Sequence, residues 1–125
     1  MSALAFVALS VAGGVGAVLR FVVDGVTRSR VRSRYPFGTT LINVSGSLVL
    51  GLLTGLALHG AITSVWVLIL GTGLMGGYTT FSTASFETVR LLQDREYVQA
   101  LTNGLGMLVS AVLAALLGLW IGSLV

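Results

Sequence analysis

Residues 71–83 read GTGLMGGYTTFST, four glycines and a cluster of hydroxyls inside a stretch that is otherwise apolar. From Ile62 to Phe86 the chain carries no charged residue. A bilayer core asks for about 20 apolar residues per helix, and the region from Ile62 to Leu92 is longer than one span requires. Adjacent Gly76-Gly77 followed by Thr79-Thr80 predicts a break near Gly76 to Thr80, with helix resuming from Phe81 to Leu92. Non-helical backbone at membrane depth persists only where protein or a water-filled cavity satisfies it. The carbonyls freed at Gly76, Gly77, Thr79 and Thr80 are oxygen ligands suited to a hard cation such as sodium, a known use of broken membrane helices. The competing reading is that these glycines only let helices approach closely.

The rest of the chain fits the same solvent. Of 125 residues, 55% are hydrophobic and 9% charged, whereas a soluble domain usually carries about 25% charged residues. Too few charges remain to cover a water-facing surface. Four apolar stretches stand out, approximately 2–23, 37–58, 62–86 and 98–125. They predict an all-α membrane protein, a single four-helix transmembrane domain with its third helix broken mid-membrane. Short connections leave no room for a separate soluble domain. With no cysteine there are no disulfides and no thiolate metal sites. The first stretch lacks a basic segment before it and a small-residue cleavage site after it, so it reads as a retained helix.

Charge placement sets an expected orientation. The seven basic residues are Arg20, Arg28, Arg30, Arg32, Arg34, Arg90 and Arg95, with no lysine. Five flank the first connection, two lie in the third, and the loop around His59 and both termini have none. Arginine-rich short loops stay in the cytoplasm, which predicts both termini outside and one fixed orientation. A net charge of only +3, placed beside membrane spans, argues against a nucleic-acid partner. Small residues recur every four positions at Asn43, Ser47, Gly51 and Gly55, and at Gly106, Ser110, Ala114, Gly118 and Gly122. Such stripes bring helices together in lipid. Four short helices enclose little volume, so a pore would need a second subunit.

Asn43 is an amide in an apolar helix, costly unless bonded. It either bonds across to a neighbouring helix or donates its NH₂ group to a dehydrated anion. Arg20 either snorkels to headgroups or draws anions to a pore mouth. Glu87 reads as a pore-mouth charge or as a solvated residue paired with Arg90. His59 has no visible partner, and no enzyme constellation can be assembled from the remaining side chains, so a non-enzyme is expected.

GGVGAVLRF (13–21), FGTTLINVSGSLVLG (37–51) and GTGLMGGYTTFSTASFE (71–87) together resemble the fluoride channels, also called camphor-resistance or fluoride-exporter proteins, along nearly the whole chain. The resemblance implies a bacterial plasma-membrane protein, an antiparallel dimer with two fluoride pores at its interface and a central structural sodium ion. It implies Asn43 as the pore amide donor and Phe81 as a ring edge offered to the anion. Ser82 and Thr83 would belong to the hydroxyl route, and carbonyls among Gly76, Gly77, Thr79 and Thr80 would hold sodium. Two positions depart from the family pattern. Ala84 stands where a second phenylalanine is usual. In the fourth helix Asn103 and Ser110 are the polar candidates, with Met107 between them. The departures and the complete arginine skew together suggest a heterodimer with an inverted paralogue. The competing classes are a small multidrug-type transporter, which would need a carboxylate at membrane depth, and a non-conducting structural subunit.

Overall fold

A computed structural model describes all 125 residues, and every regular element in it is helical. Helix α1 is Ala3–Arg30, started by Ser2, whose hydroxyl accepts from the Ala5 N–H at 3.1 Å. It outruns the apolar stretch that ends at Val23. The i,i+4 pair Asp24–Arg28, at 2.9 Å, continues the helix beyond it. At 1.5 Å per residue α1 is about 42 Å long, against a hydrocarbon core of about 30 Å. Its last turns, with Arg28 and Arg30, therefore stand at headgroup level.

Helix α2 is Phe37–Leu58. It ends at Gly60, whose φ of 75° lies in the left-handed region that glycine enters without a Cβ penalty. That turn lets Ala61 N–H reach the Leu56 carbonyl at 2.9 Å and Gly60 N–H reach Ala57 at 3.1 Å, a Schellman closure. His59 adds a ring nitrogen 3.1 Å from the Gly55 carbonyl.

The third span divides into α3, residues 64–78, and α4, Ser82–Gln93. Over Val67–Met75 helix α3 is wound with wide π-type turns, so that Gly76 N–H reaches back to the Gly71 carbonyl. Helix α5 is Tyr97–Gly122, with a second π-type turn at Thr102–Gly106. Each of the four spans is long and apolar enough to cross a membrane, which makes the chain a multi-pass membrane protein.

The predicted break is present but sits later than the glycines suggested. Gly76, Gly77 and Tyr78 are still helical, and the chain turns extended at Thr79, with ψ of 162°. Close packing explains Gly77: a Cβ there would lie 2.1 Å from the Gly13 carbonyl oxygen. Gly16 of α1 faces the same seam, 2.1 Å from Leu74 O by the same construction. The small-residue stripes of α2 and α5 meet in their second halves. A Cβ on Gly51 would stand 2.0 Å from Ala115 O, and one on Gly118 would stand 2.1 Å from Leu48 O. Backbones in such contact gain dispersion and Cα–H···O contacts that side chains would prevent.

Only 19 of 125 residues are buried. The lone chain therefore turns most of its apolar side chains outward, to lipid or to another subunit.

A methyl group at Gly118 has to push α2 and α5 apart. Gly118→Ala should destabilise the protein by about 1–3 kcal/mol, lowering its melting temperature in detergent. Gly14→Ala, where nothing lies within 4 Å of the added carbon, should hold or raise that temperature, alanine being the better helix former.

Candidate functional site

Leaving helix at Thr79 strands peptide groups in a medium with no water to take them. Asn43, on α2, meets two of them. Its Nδ2 donates to the Thr80 carbonyl and its Oδ1 accepts from the Thr80 N–H, both at 2.8 Å. The side-chain amide thus replaces a paired strand for one residue, and the Thr80 N–H fixes which end of the amide is oxygen. Gly46 makes the approach possible: a Cβ there would fall 2.3 Å from the Thr79 methyl.

Other groups finish the break. Arg20 donates to the Thr79 carbonyl at 3.3 Å. One of its five N–H groups thus supports the interruption. Thr79 Oγ1 closes the last turn of α3 on the Met75 carbonyl at 2.9 Å. Thr80 caps α4: its hydroxyl accepts from Thr83 N–H at 3.2 Å and donates to Thr83 Oγ1 at 3.0 Å. Tyr78 reaches Ser45 hydroxyl to hydroxyl at 3.0 Å. The carbonyls of Gly76 and Gly77 have no N–H four residues on, because Thr80 N–H is taken by Asn43 and Phe81 N–H makes no backbone bond.

Beside the break runs an open groove of about 800 Å³ between α2, the third span and α5. Asn43, Thr79, Thr80 and Phe81 line it, and none of its 20 lining residues is charged. Phe81 is 87% exposed, its ring standing out from the subunit at the groove's edge. Further along the groove lie Ala84, Thr88 and Asn103. Asn103 is fully buried and donates to the Ala84 carbonyl at 3.2 Å and to Thr88 Oγ1 at 2.8 Å. Its Oδ1 is buried without a partner.

Not every expected residue reaches this groove. Ser82 is exposed outside it, and the Thr83 hydroxyl is turned back to Thr80. Gly77 faces α1. Ser110 is exposed on α5, and Ala111 lines the groove instead. The cause is the π-type turn at Thr102–Gly106, which inserts one residue into the register. Counted at 3.6 per turn, Ser110 falls below Asn103; with the extra residue, Ala111 does. Met107 takes a place among the lining residues beside Asn43.

At the arginine-rich end, Glu87 pairs with Arg28 at 3.3 Å and accepts from Thr39 at 3.0 Å, so its partner is not Arg90. Its second carboxylate oxygen is buried and unpartnered. Arg34 pairs with Glu96 across the two basic connections.

Four membrane spans, the third interrupted at depth, and a largely apolar groove with no charged residue along the interruption define a multi-pass membrane protein. The comparisons narrow the class. Residues 7–119 match the family model described as CrcB-like protein, Camphor Resistance (CrcB). The chain is 57% identical over 124 residues to the fluoride-specific ion channel FluC 1 of Leifsonia xyli subsp. xyli, covering 99% of this chain and 90% of that protein. It is 48% identical over 113 residues to FluC 2 of Cutibacterium acnes, covering 90% and 92% of the two chains. With FluC 2 of Mycobacterium tuberculosis H37Rv it shares 46% over 112 residues, 90% and 86% of the respective lengths. This chain belongs to the CrcB-like family.

Removing the Asn43 amide would leave two buried peptide groups unpaired. Asn43→Leu should destabilise the fold by on the order of 3 kcal/mol. Hydrogen exchange followed by mass spectrometry should show faster exchange at Thr80 and through the first turn of α4, with α2 and α5 unchanged around Gly51 and Gly118.

Proposed function

We propose that this chain is one subunit of a dimeric, fluoride-selective channel through which the anion leaves the cytoplasm passively. The observation that carries the reading is the groove itself: an amide, hydroxyls and an exposed phenyl ring at membrane depth, with no ionisable side chain among them. A small anion that sheds its water needs hydrogen-bond donors and positive ring edges. A full positive charge would hold it too tightly to let it pass. A multidrug-type transporter would need a carboxylate in the groove, and none lines it. The relatives above are fluoride-specific ion channels by name, which agrees with this reading.

The chemistry of the ion calls for such a path. Hydrogen fluoride crosses membranes as the neutral acid and dissociates in a less acidic cytoplasm, where the anion is trapped. A passive pore lets it return down its electrochemical gradient. Phe81 offers its ring edge, and the adjoining N-terminus of α4 supplies the positive end of a helix dipole. Asn43 serves this path as amide donor only through the proton that the Thr80 carbonyl does not take, which in this subunit faces the Met107 sulfur. Ser82, Thr83 and Ser110 lie outside the groove of the single subunit and join the path only if assembly brings them there.

Assembly completes the site. Phe81 stands out from the chain at 87% exposure, as a residue shared with a second subunit would. The carbonyls of Gly76 and Gly77, free of their helical donors, are the groups that would hold a structural sodium ion between subunits. Thr79 and Thr80 are weaker ligands, since their carbonyls already accept from Arg20 and Asn43. All seven arginines lie at or toward one end. We therefore assign both termini to the outside of the bacterial membrane, and the partner role to a paralogue inserted the other way round.

Fluoride efflux from proteoliposomes, read with a fluoride electrode, tests these assignments. The chain reconstituted with an inverted paralogue should pass fluoride and exclude chloride, and the chain alone should pass little. Robust selective efflux from the chain alone would sink the heterodimer. No fluoride flux with any inverted partner would sink the channel.

A further inference from the structure

The Asn43 NH₂ group has two protons. One goes to the Thr80 carbonyl, and the other points at the Met107 sulfur, with Nδ2 to Sδ at 3.3 Å. Met107 is buried, lines the groove, and is set in that position by the π-type turn that precedes it. A thioether is a weak acceptor on a flexible side chain that fills irregular gaps. The only donor proton that the clamp leaves over is therefore covered by the residue least able to use it.

We infer that Met107 is a plug: its side chain fills the space in front of the spare Asn43 proton and sets how weakly this subunit's own groove binds fluoride. The inference rests on the fluoride reading above and goes beyond it, because it assigns the difference between an open and a closed groove to one side chain. Ala84 and Met107 both line the groove, and of the two only Met107 meets the Asn43 amide. A small residue at 107 would hand the amide proton to the anion, a far stronger acceptor than sulfur. The clamp on Thr80 would be untouched, since it uses the other proton and the carbonyl oxygen.

The chain has only two asparagines, Asn43 and Asn103, so protein labelled with ¹⁵N-asparagine in lipid nanodiscs gives two side-chain amide signals. Sodium fluoride is then titrated in. In the native chain neither signal should move. In Met107→Ala the Asn43 signal should shift saturably, while Asn103, whose protons are held by Ala84 and Thr88, stays in place and reports that the fold is intact. Met107→Ser serves as a second opening variant, and Met107→Leu, which still fills the space, should remain silent. A saturable shift in the native chain would overturn the plug. So would silence in folded Met107→Ala and Met107→Ser, or a response in Met107→Leu equal to that in Met107→Ala. Reconstituted with an inverted paralogue, Met107→Ala should raise fluoride efflux roughly tenfold, the gain of one donated hydrogen bond. An amide response without efflux from any variant would keep the plug and overturn the channel reading.

Discussion

A peptide group inside a bilayer has to find its partner within the protein, and the third span breaks that supply at Thr79. The Asn43–Thr80 exchange restores it, with two bonds of 2.8 Å between a side chain of α2 and the backbone of the third span. The surrounding arrangement follows from this pair. Gly46 has to be small so that Thr79 can close on α2, Arg20 has to reach the next carbonyl, and Thr80 is then placed to cap α4. Phe81 follows directly and is thrown outward. An interruption that elsewhere would be a defect thus becomes a rigid corner with a donor on one side and a ring on the other.

Two packing seams hold that corner. Helix α3 lies on α1 through Gly13, Gly16 and Gly77, and α2 lies on α5 through Gly51, Gly55, Gly118 and Gly122. Between the seams the groove stays open, with no charged residue in its wall. The seams bury backbone against backbone and leave the larger side chains facing out.

The sequence made the four spans legible because composition alone decides them: apolar runs of bilayer length admit no other solvent. Span 37–58 coincides with α2 to the residue. It also signalled an interruption in the third span, through GGYTT, but not its position. Both glycines are helical, Gly77 serves close approach to α1 while a Cβ on Gly76 would meet nothing within 4 Å, and the chain leaves the helix at Thr79. Asn43 was recognisable as a buried amide in need of a partner, but the partner is a peptide group 37 positions away, and nothing local encodes that. Ser110 lies outside the single subunit's groove for a different reason. A count at 3.6 residues per turn assumes an unbroken α-helix, and TNGLG (102–106) carries no signal that marks a π-type turn. Met107, an ordinary apolar residue by composition, acquires meaning only from the sulfur's position beside the Asn43 amide.

The claim that most depends on the clamp is open to one direct measurement. Solid-state NMR of the protein in lipid bilayers, labelled with ¹⁵N-asparagine and ¹³C-threonine, reads both the dipolar coupling between Asn43 Nδ2 and the Thr80 carbonyl carbon and the backbone shifts of Thr79 and Thr80. A clamped break predicts a clear coupling together with an extended-backbone shift at Thr79. Helical shifts running through both threonines, with no coupling to Asn43, would contradict it.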